Sequence, residues 1–365
     1  MTMTASMDLS SLFASHNLVG HTLSNGWKIM RKLEKDPSKG QTGGNFSICY
    51  LAERDGKEYF VKVINFMDVI SSVDETNQRT TEFLFERDLS NYCRDRNVKN
   101  VAIMLDAGED KIDGFPFPNV PYLVFEKADS DVRDFLDFTS RQDVAWSFKS
   151  LREVALGLDE LHNIGVSHLD VKPSNVLVFD SKVKGKSKIS DLGRSICETI
   201  SGPFDGLSFS GDCSYAPLDV LFRYNWTTDI NLGRYVTDLY MLGNLVVFYL
   251  TKTTMSALML SNLPYSITPF KTLPPYAAIM ADVEEAFLKS LETIEKSLPS
   301  VIVSKERVMN DIRNLCNPNP ERRGHPKNLD VNTREISYSL RRFVTSFEVM
   351  RKETELQLFR KTLGK

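Results

Sequence analysis

The sequence lacks the marks of several protein classes. Cysteines are few: Cys49, Cys93, Cys197, Cys213 and Cys316. They are odd in number, widely spaced and without a C-x-x-C pair. A disulfide framework or zinc site is therefore not expected, and a reducing compartment fits better. Each cysteine reads most simply as a small buried apolar residue. A strong charge of one sign is also missing. The net charge is −3, which gives no reason to expect nucleic acid or an anionic membrane as partner. Long hydrophobic runs are absent. The most apolar stretch, residues 239–250, is too short to span a bilayer and is followed by polar or charged residues. The first 15 residues show no basic start leading into an apolar run, so no secretory signal is expected. Internal repeats and long low-complexity stretches are missing too. These absences predict a cytoplasmic protein with no membrane span.

What remains is ordinary globular composition, 42% hydrophobic and 25% charged over 365 residues. That length suits two lobes plus extensions. Residues 1–20 carry no strong period and read as a loose or docking arm. From Trp27, through Ile29 and Met30, the pattern becomes strand-like. A turn-rich stretch over residues 39–45 follows, then a strand over 46–52, a hairpin turn at 54–57 and a strand over 59–64. Residues 80–93 read as a helix, and 101–105 and 122–125 as short strands.

The remainder is mainly helical. Phe148, Leu151, Val154, Leu158 and Leu161 mark one face of a helix over 143–164, with Gly165 as a stop. Residues 176–179 and 188–190 are short strands. Residues 235–249 are apolar nearly all round and predict a buried central helix. Helices are also expected over 281–298 and from a Ser304 cap to Leu315. Asn332 and Glu335 resemble a capping box. Ile336, Leu340, Phe343, Phe347 and Met350 then define an amphipathic C-terminal helix. It is expected to pack on its own domain, with a partner or dimer contact as the alternative.

The strongest signal is the octet from His168 to Asn175, His-Leu-Asp-Val-Lys-Pro-Ser-Asn, followed by Asp191-Leu192-Gly193. Phosphoryl transfer explains these residue types. A γ-phosphate repels nucleophiles, so its charge must be offset and the acceptor held in line. Asp170 can orient an acceptor hydroxyl. Lys172 can offset charge on the transferring group. Asn175 and Asp191 offer the hard oxygen ligands that Mg²⁺ prefers.

On these motifs the chain resembles the eukaryotic-type (Hanks-type) protein kinases over roughly residues 20–330. The Lys-Pro-Ser-Asn run is closest to the serine/threonine branch. The resemblance implies an α+β, bilobal kinase-like fold: a small β-rich N-lobe with one main helix, and a larger, mostly helical C-lobe. The implied boundaries are an arm at 1–20, a kinase domain at 21–330 (N-lobe 21–125, hinge 126–130, C-lobe 131–330) and the C-terminal helix at 331–365. ATP and Mg²⁺ are the implied cofactors. A protein is the implied substrate, with the chain itself, by autophosphorylation, as one candidate.

The same resemblance assigns further residues. Lys62 matches the strand lysine that holds the α- and β-phosphates. Its ion-pair partner is Glu86, with Glu82 one turn earlier as the alternative. Gly40, Gly43 and Gly44, followed by Phe46, look like the phosphate-covering loop. Cys49, Phe60 and Phe125 fall in the nucleotide pocket. Glu126 and Ala128 would offer backbone groups to the adenine edge. Asp131 would meet the ribose or cap a helix. Asp238 would brace the catalytic loop, and Arg323 would make a structural ion pair.

Several positions depart from the family. Leu169 replaces the arginine that normally meets a phosphate on the activation segment, which predicts activity without phosphorylation of residues 194–214. Leu192 stands for phenylalanine, and Ser47 for the third loop glycine. Phe60 stands where a small residue is usual and could narrow the adenine pocket. Leu218 cannot pair with Arg323, and Asp219 is the neighbouring carboxylate that offers to. Asp212 puts a carboxylate where a threonine is common. An active kinase is the first reading. A catalytically silent binding module and a kinase-fold small-molecule phosphotransferase are the alternatives.

Overall fold

The computed structural model describes residues 9–34, 47–138, 143–181, 185–267, 269, 274–328 and 338–363. The chain divides into two compact units. One comprises Met1–Asn97 with Ala102–Asp129; the other comprises Val98–Val101 with Ser130–Lys365.

The first unit is built on strands β1 (Lys28–Leu33), β2 (Ser47–Arg54), β3 (Lys57–Ile64), β4 (Asp106–Lys111) and β5 (Asn119–Glu126). They form one antiparallel sheet in the order β1-β2-β3-β5-β4. Strand alternation sends Ile48, Tyr50, Ala52, Val61, Val63, Val120, Tyr122 and Val124 to one face, where they pack with Trp27 and Ile29. Helix α1 (Val73–Asp95) contributes Phe83 to a second cluster with Ile64, Met104 and Leu123. Ser72 caps α1 by accepting from Glu75 N. The helix starts earlier than residue 80 because its first turns are polar and carry no apolar period.

Two expectations meet the structure here. The arm expected over residues 1–20 to be loose or docking is not loose over residues 9–18 but docked. Short 3₁₀ turns at Leu9–Leu12 and Ala14–His16 lay Ala14 and Leu18 into the sheet's apolar cluster. Tyr50 Oη donates to Ser15 O at 2.7 Å, and Phe13 stacks on Phe117. Nor do residues 101–105 form a strand. Met104 N donates to the Ser90 hydroxyl instead of to a ladder, and Val101 makes only an isolated bridge to Ile189. The strand comes next, at β4, a polar edge strand whose composition hides it.

The second unit contains β6 (Ser130–Asp131), α2 (Val132–Phe138), α3 (Val144–His162), β7 (Val166–Ser167), β8 (Val176–Phe179), β9 (Lys186–Ile189) and β10 (Ile196–Cys197). Helices α4 (Leu218–Leu221), α5 (Ile230–Thr251), α6 (Met255–Asn262), α7 (Met280–Ser297), α8 (Lys305–Leu315) and α9 (Arg341–Leu363) follow. Asp143 caps α3, whose predicted apolar face is fully buried. Helix α5 is buried almost throughout, as its apolar sequence requires.

Helix α9 packs along α3, burying Phe343, Phe347 and Met350, so this unit covers its apolar face. It begins at Arg341, and residues 338–340 are non-helical. The proposed capping pair Asn332 and Glu335 lies outside the described residues. Ser304 does not cap α8 with its side chain. Its hydroxyl donates to Glu353 Oε2 at 2.7 Å instead.

Candidate active site

In the first unit, strand register puts Cys49 opposite Lys62, Lys62 opposite Leu123, and Phe60 opposite Phe125. Cys49, Phe60, Lys62 and Phe125 therefore share one face of the sheet, opposite the face packed on Trp27. Lys62 Nζ donates to Glu86 Oε2 at 2.7 Å and Oε1 at 2.9 Å. Glu86, not Glu82, is the partner; Glu82 accepts from Gln78 on the exposed side of α1. The Phe60 and Phe125 rings lie 6.4 Å apart, tilted. Glu126 ends β5, and Ala128 follows it. Gly40, Gly43, Gly44 and Phe46 lie outside the described residues.

In the second unit, the octet forms a tightly tied loop. Asp238 on α5 accepts from His168 N at 2.8 Å, Leu169 N at 2.7 Å and His162 Nε2 at 2.9 Å. These bonds fix a backbone in which Leu169 has φ +61°, a conformation uncommon for a branched residue. The Asp170 carboxylate accepts from Asn175 Nδ2 at 2.9 Å and from Asp212 N at 3.0 Å. Lys172 Nζ stands 3.1 Å from Asp170 Oδ2 and 3.6 Å from Asp212 Oδ2. Burial alone would lower the Lys172 pKa. Asp170, Asp212 and Asp191 outweigh it and hold the ammonium above the usual lysine range.

Asp191 is joined to this loop through its neighbours. Ser190 N donates to Asn175 O at 2.8 Å, and His168 Nε2 contacts Ser190 O at 3.1 Å. Asp191 itself is exposed and has φ +65°. Asn175 spends its amide nitrogen on Asp170, leaving Oδ1 as the atom suited to a metal. Among the described residues no group of three or more His, Cys, Asp or Glu side chains could form a closed metal cage. One amide and one carboxylate oxygen suit Mg²⁺, which keeps waters and takes phosphate oxygens as further ligands. Asp131 accepts from Asp134 N at 2.9 Å, which is the helix-cap geometry.

A family-model comparison matches the protein kinase domain over residues 40–329. The chain belongs to the protein kinase family. Among curated proteins, it is 31% identical over 153 residues to the human serine/threonine-protein kinase greatwall, and 30% identical over 155 residues to that of Xenopus laevis. It is 29% identical over 161 residues to the serine/threonine-protein kinase ppk18 of Schizosaccharomyces pombe. Each match covers 42% of this chain, but only 15% of the greatwall proteins and 10% of ppk18. Among the described residues no helix is long and apolar enough to cross a membrane.

The segment over residues 194–214 is held by Leu169, which motif reading singled out, and by Arg234, which it did not. Leu169 is fully buried with Ile196 and Phe204, and Phe209 packs against them. Arg234 on α5 donates to Leu207 O at 2.7 and 3.0 Å and to Asp205 O at 2.5 Å. Its only sequence signal is a lone arginine at the start of an apolar helix. Gly211 lies so close to the catalytic loop that a Cβ there would sit 1.9 Å from Leu169 O. Arg323 reaches Asp219 Oδ1 at 2.6 Å, so Asp219 takes the place that Leu218 cannot fill.

Proposed function

We propose that the chain is an ATP- and Mg²⁺-dependent protein kinase that phosphorylates serine or threonine hydroxyls. The observation that carries this reading is the Asp170 cluster. Its carboxylate is aimed by Asn175 and by the Asp212 backbone, with a charged lysine beside it. Asp170 accepts the hydrogen bond of the acceptor hydroxyl and orients its oxygen for attack. Lys172 offsets negative charge on the group in flight. Lys62, steadied by Glu86, holds the α- and β-phosphates. Asn175 Oδ1 and Asp191 hold Mg²⁺, which when bound neutralises phosphate charge. Cys49, Phe60 and Phe125 contact the adenine, and the backbone at Glu126 and Ala128 holds its edge. The serine/threonine preference is supported by the likeness to greatwall and ppk18, both serine/threonine-protein kinases. A reducing, cytoplasmic setting fits five cysteines that form no disulfide.

Activity does not need a phosphorylated activation segment in this reading. Where the family's arginine would meet a phosphate, Leu169 anchors the segment by apolar packing, and Arg234 holds its carbonyls. Transfer of label from γ-labelled ATP to a mixed protein substrate tests the proposal. Wild type with Mg²⁺ should transfer; Asp170→Asn, or wild type with EDTA, should not. Nucleotide binding with equal background transfer by both proteins would leave only a silent binding module.

A further inference from the structure

A groove of about 1120 Å³ lies in the second unit, among α8, the start of α9 and the loop around His325. Lys305, Arg307, Arg313, Arg341 and Arg342 line it, against the two acidic residues Glu306 and Asp311. The chain as a whole is net negative at −3, so this concentration of cations is local. The four arginines and Lys305 are exposed. Arg341, Arg342 and Arg313 are tethered through Asp159, Asn328 and Asn310. Among the described residues Lys305 and Arg307 make no ion pair.

A further observation points to an anionic ligand. The N-terminus of α8 faces this groove without a side-chain cap, because the Ser304 hydroxyl is spent on Glu353. Its first-turn N–H groups are therefore available to an anion. Asp311, 5% exposed, lies behind the groove wall; Ser346 hydrogen-bonds its carboxyl, and its Oδ2 is sealed from solvent, so it shapes the charge of the groove without touching a ligand.

We propose that this groove binds a phosphorylated peptide segment, a phosphoserine or phosphothreonine with its flanking residues. Guanidinium forks and free helix N–H groups match a phosphate's oxygens in number and geometry better than a single carboxylate's. The volume exceeds what one phosphate ion fills, which favours a peptide. The site would retain a protein already phosphorylated while further hydroxyls are presented. The binding itself does not rest on the catalytic reading, because it requires no turnover.

Burial pushes the Asp311 carboxyl up to about 7, against the opposing pull of Ser346 on α9 and Arg307 on its own helix. Arg341 and Arg342 on α9, with Lys305, Glu306 and Arg313 on α8, are the other charged neighbours of the groove. His325 is held below its ordinary range by burial, Arg342 and Lys327. Phosphopeptide affinity should therefore weaken as pH rises from 6.5 to 8, and Asp311→Asn should flatten that trend.

The test is fluorescence anisotropy with the full chain and a labelled nine-residue peptide carrying phosphoserine, serine or glutamate at its centre. The phosphoserine form should bind at least tenfold more tightly than either other form. Arg307→Glu should lose at least tenfold of that affinity while transfer to an unphosphorylated peptide stays within twofold. Arg307→Lys should retain most of the binding. Equal affinity for the three peptides would overturn the proposal, as would Arg307→Glu binding like wild type. Displacement by inorganic phosphate at the peptide's own concentration would overturn it too, leaving a site for small anions.

Discussion

Two ion pairs of the same chemistry sit in very different surroundings. Arg323–Asp219 is sealed, with side chains 0% and 3% exposed. Arg323 is further satisfied by the carbonyls of Asn317 and Val236. Lys62–Glu86 is partly open, at 20% and 7%. A sealed pair cannot meet a ligand, and breaking it strands a charge in a dry interior. An open pair on a sheet face can exchange its partner's oxygens for phosphate oxygens. The difference separates bracing from chemistry more surely than residue type does. The Asp170–Lys172–Asp212 cluster belongs with the open class, since Lys172 is 19% and Asp212 36% exposed.

The largest expected effect is at Asp170. Asp170→Asn should cut kcat by about 10³–10⁴-fold, equivalent to about 4–5.5 kcal/mol, with an unchanged melting temperature. A melting shift comparable to that of Arg323→Ala would erase the distinction. Arg323→Ala should destabilise by about 3–5 kcal/mol in denaturant titration, because Asp219 is left buried and unpaired. The double change Arg323→Met with Asp219→Leu should recover much of that loss. Lys62→Met should lower kcat/KM by about 10²-fold, about 2.7 kcal/mol.

A buried carboxyl with one unsatisfied oxygen gives the next effect. The folded Asp311 pKa is raised from 3.8 to about 7. Between those values the folded chain holds a proton that the unfolded chain has released. Stability from this group therefore falls as pH rises from about 4 to 7 and is flat above. Asp311→Asn should stabilise by roughly 2 kcal/mol at pH 8 and by little at pH 4, read as melting temperature against pH. The smallest effect belongs to the activation segment. Changing the exposed Thr199, Ser201, Ser208 and Ser214 to alanine should leave kcat/KM within about twofold, because the Leu169 cluster and Arg234 do the anchoring. Loss of activity rescued by acidic replacements would show that a phosphate is needed after all.

Much of this was legible in the sequence where chemistry is contiguous. Asp170, Lys172 and Asn175 fall within one octet, so their association needed no knowledge of topology. Asp219 as the stand-in for Leu218 was legible because Arg323 demands a carboxylate when buried. Two kinds of feature were hidden. Residues 9–18 build short 3₁₀ turns whose apolar residues follow no helical or strand period, so their docking on the sheet left no pattern. The Arg234 clamp and the α8–α9 groove assemble residues far apart in the chain through backbone carbonyls and helix ends, which no motif encodes.

Phosphosite mapping by mass spectrometry, after incubating wild type and Asp170→Asn with Mg·ATP and a mixed protein substrate, tests the catalytic cluster most directly. Phosphate on serine and threonine side chains with wild type, and none above background with the variant, is the expected result. The same sites at the same occupancy with both proteins would contradict a phosphoryl transfer organised by Asp170.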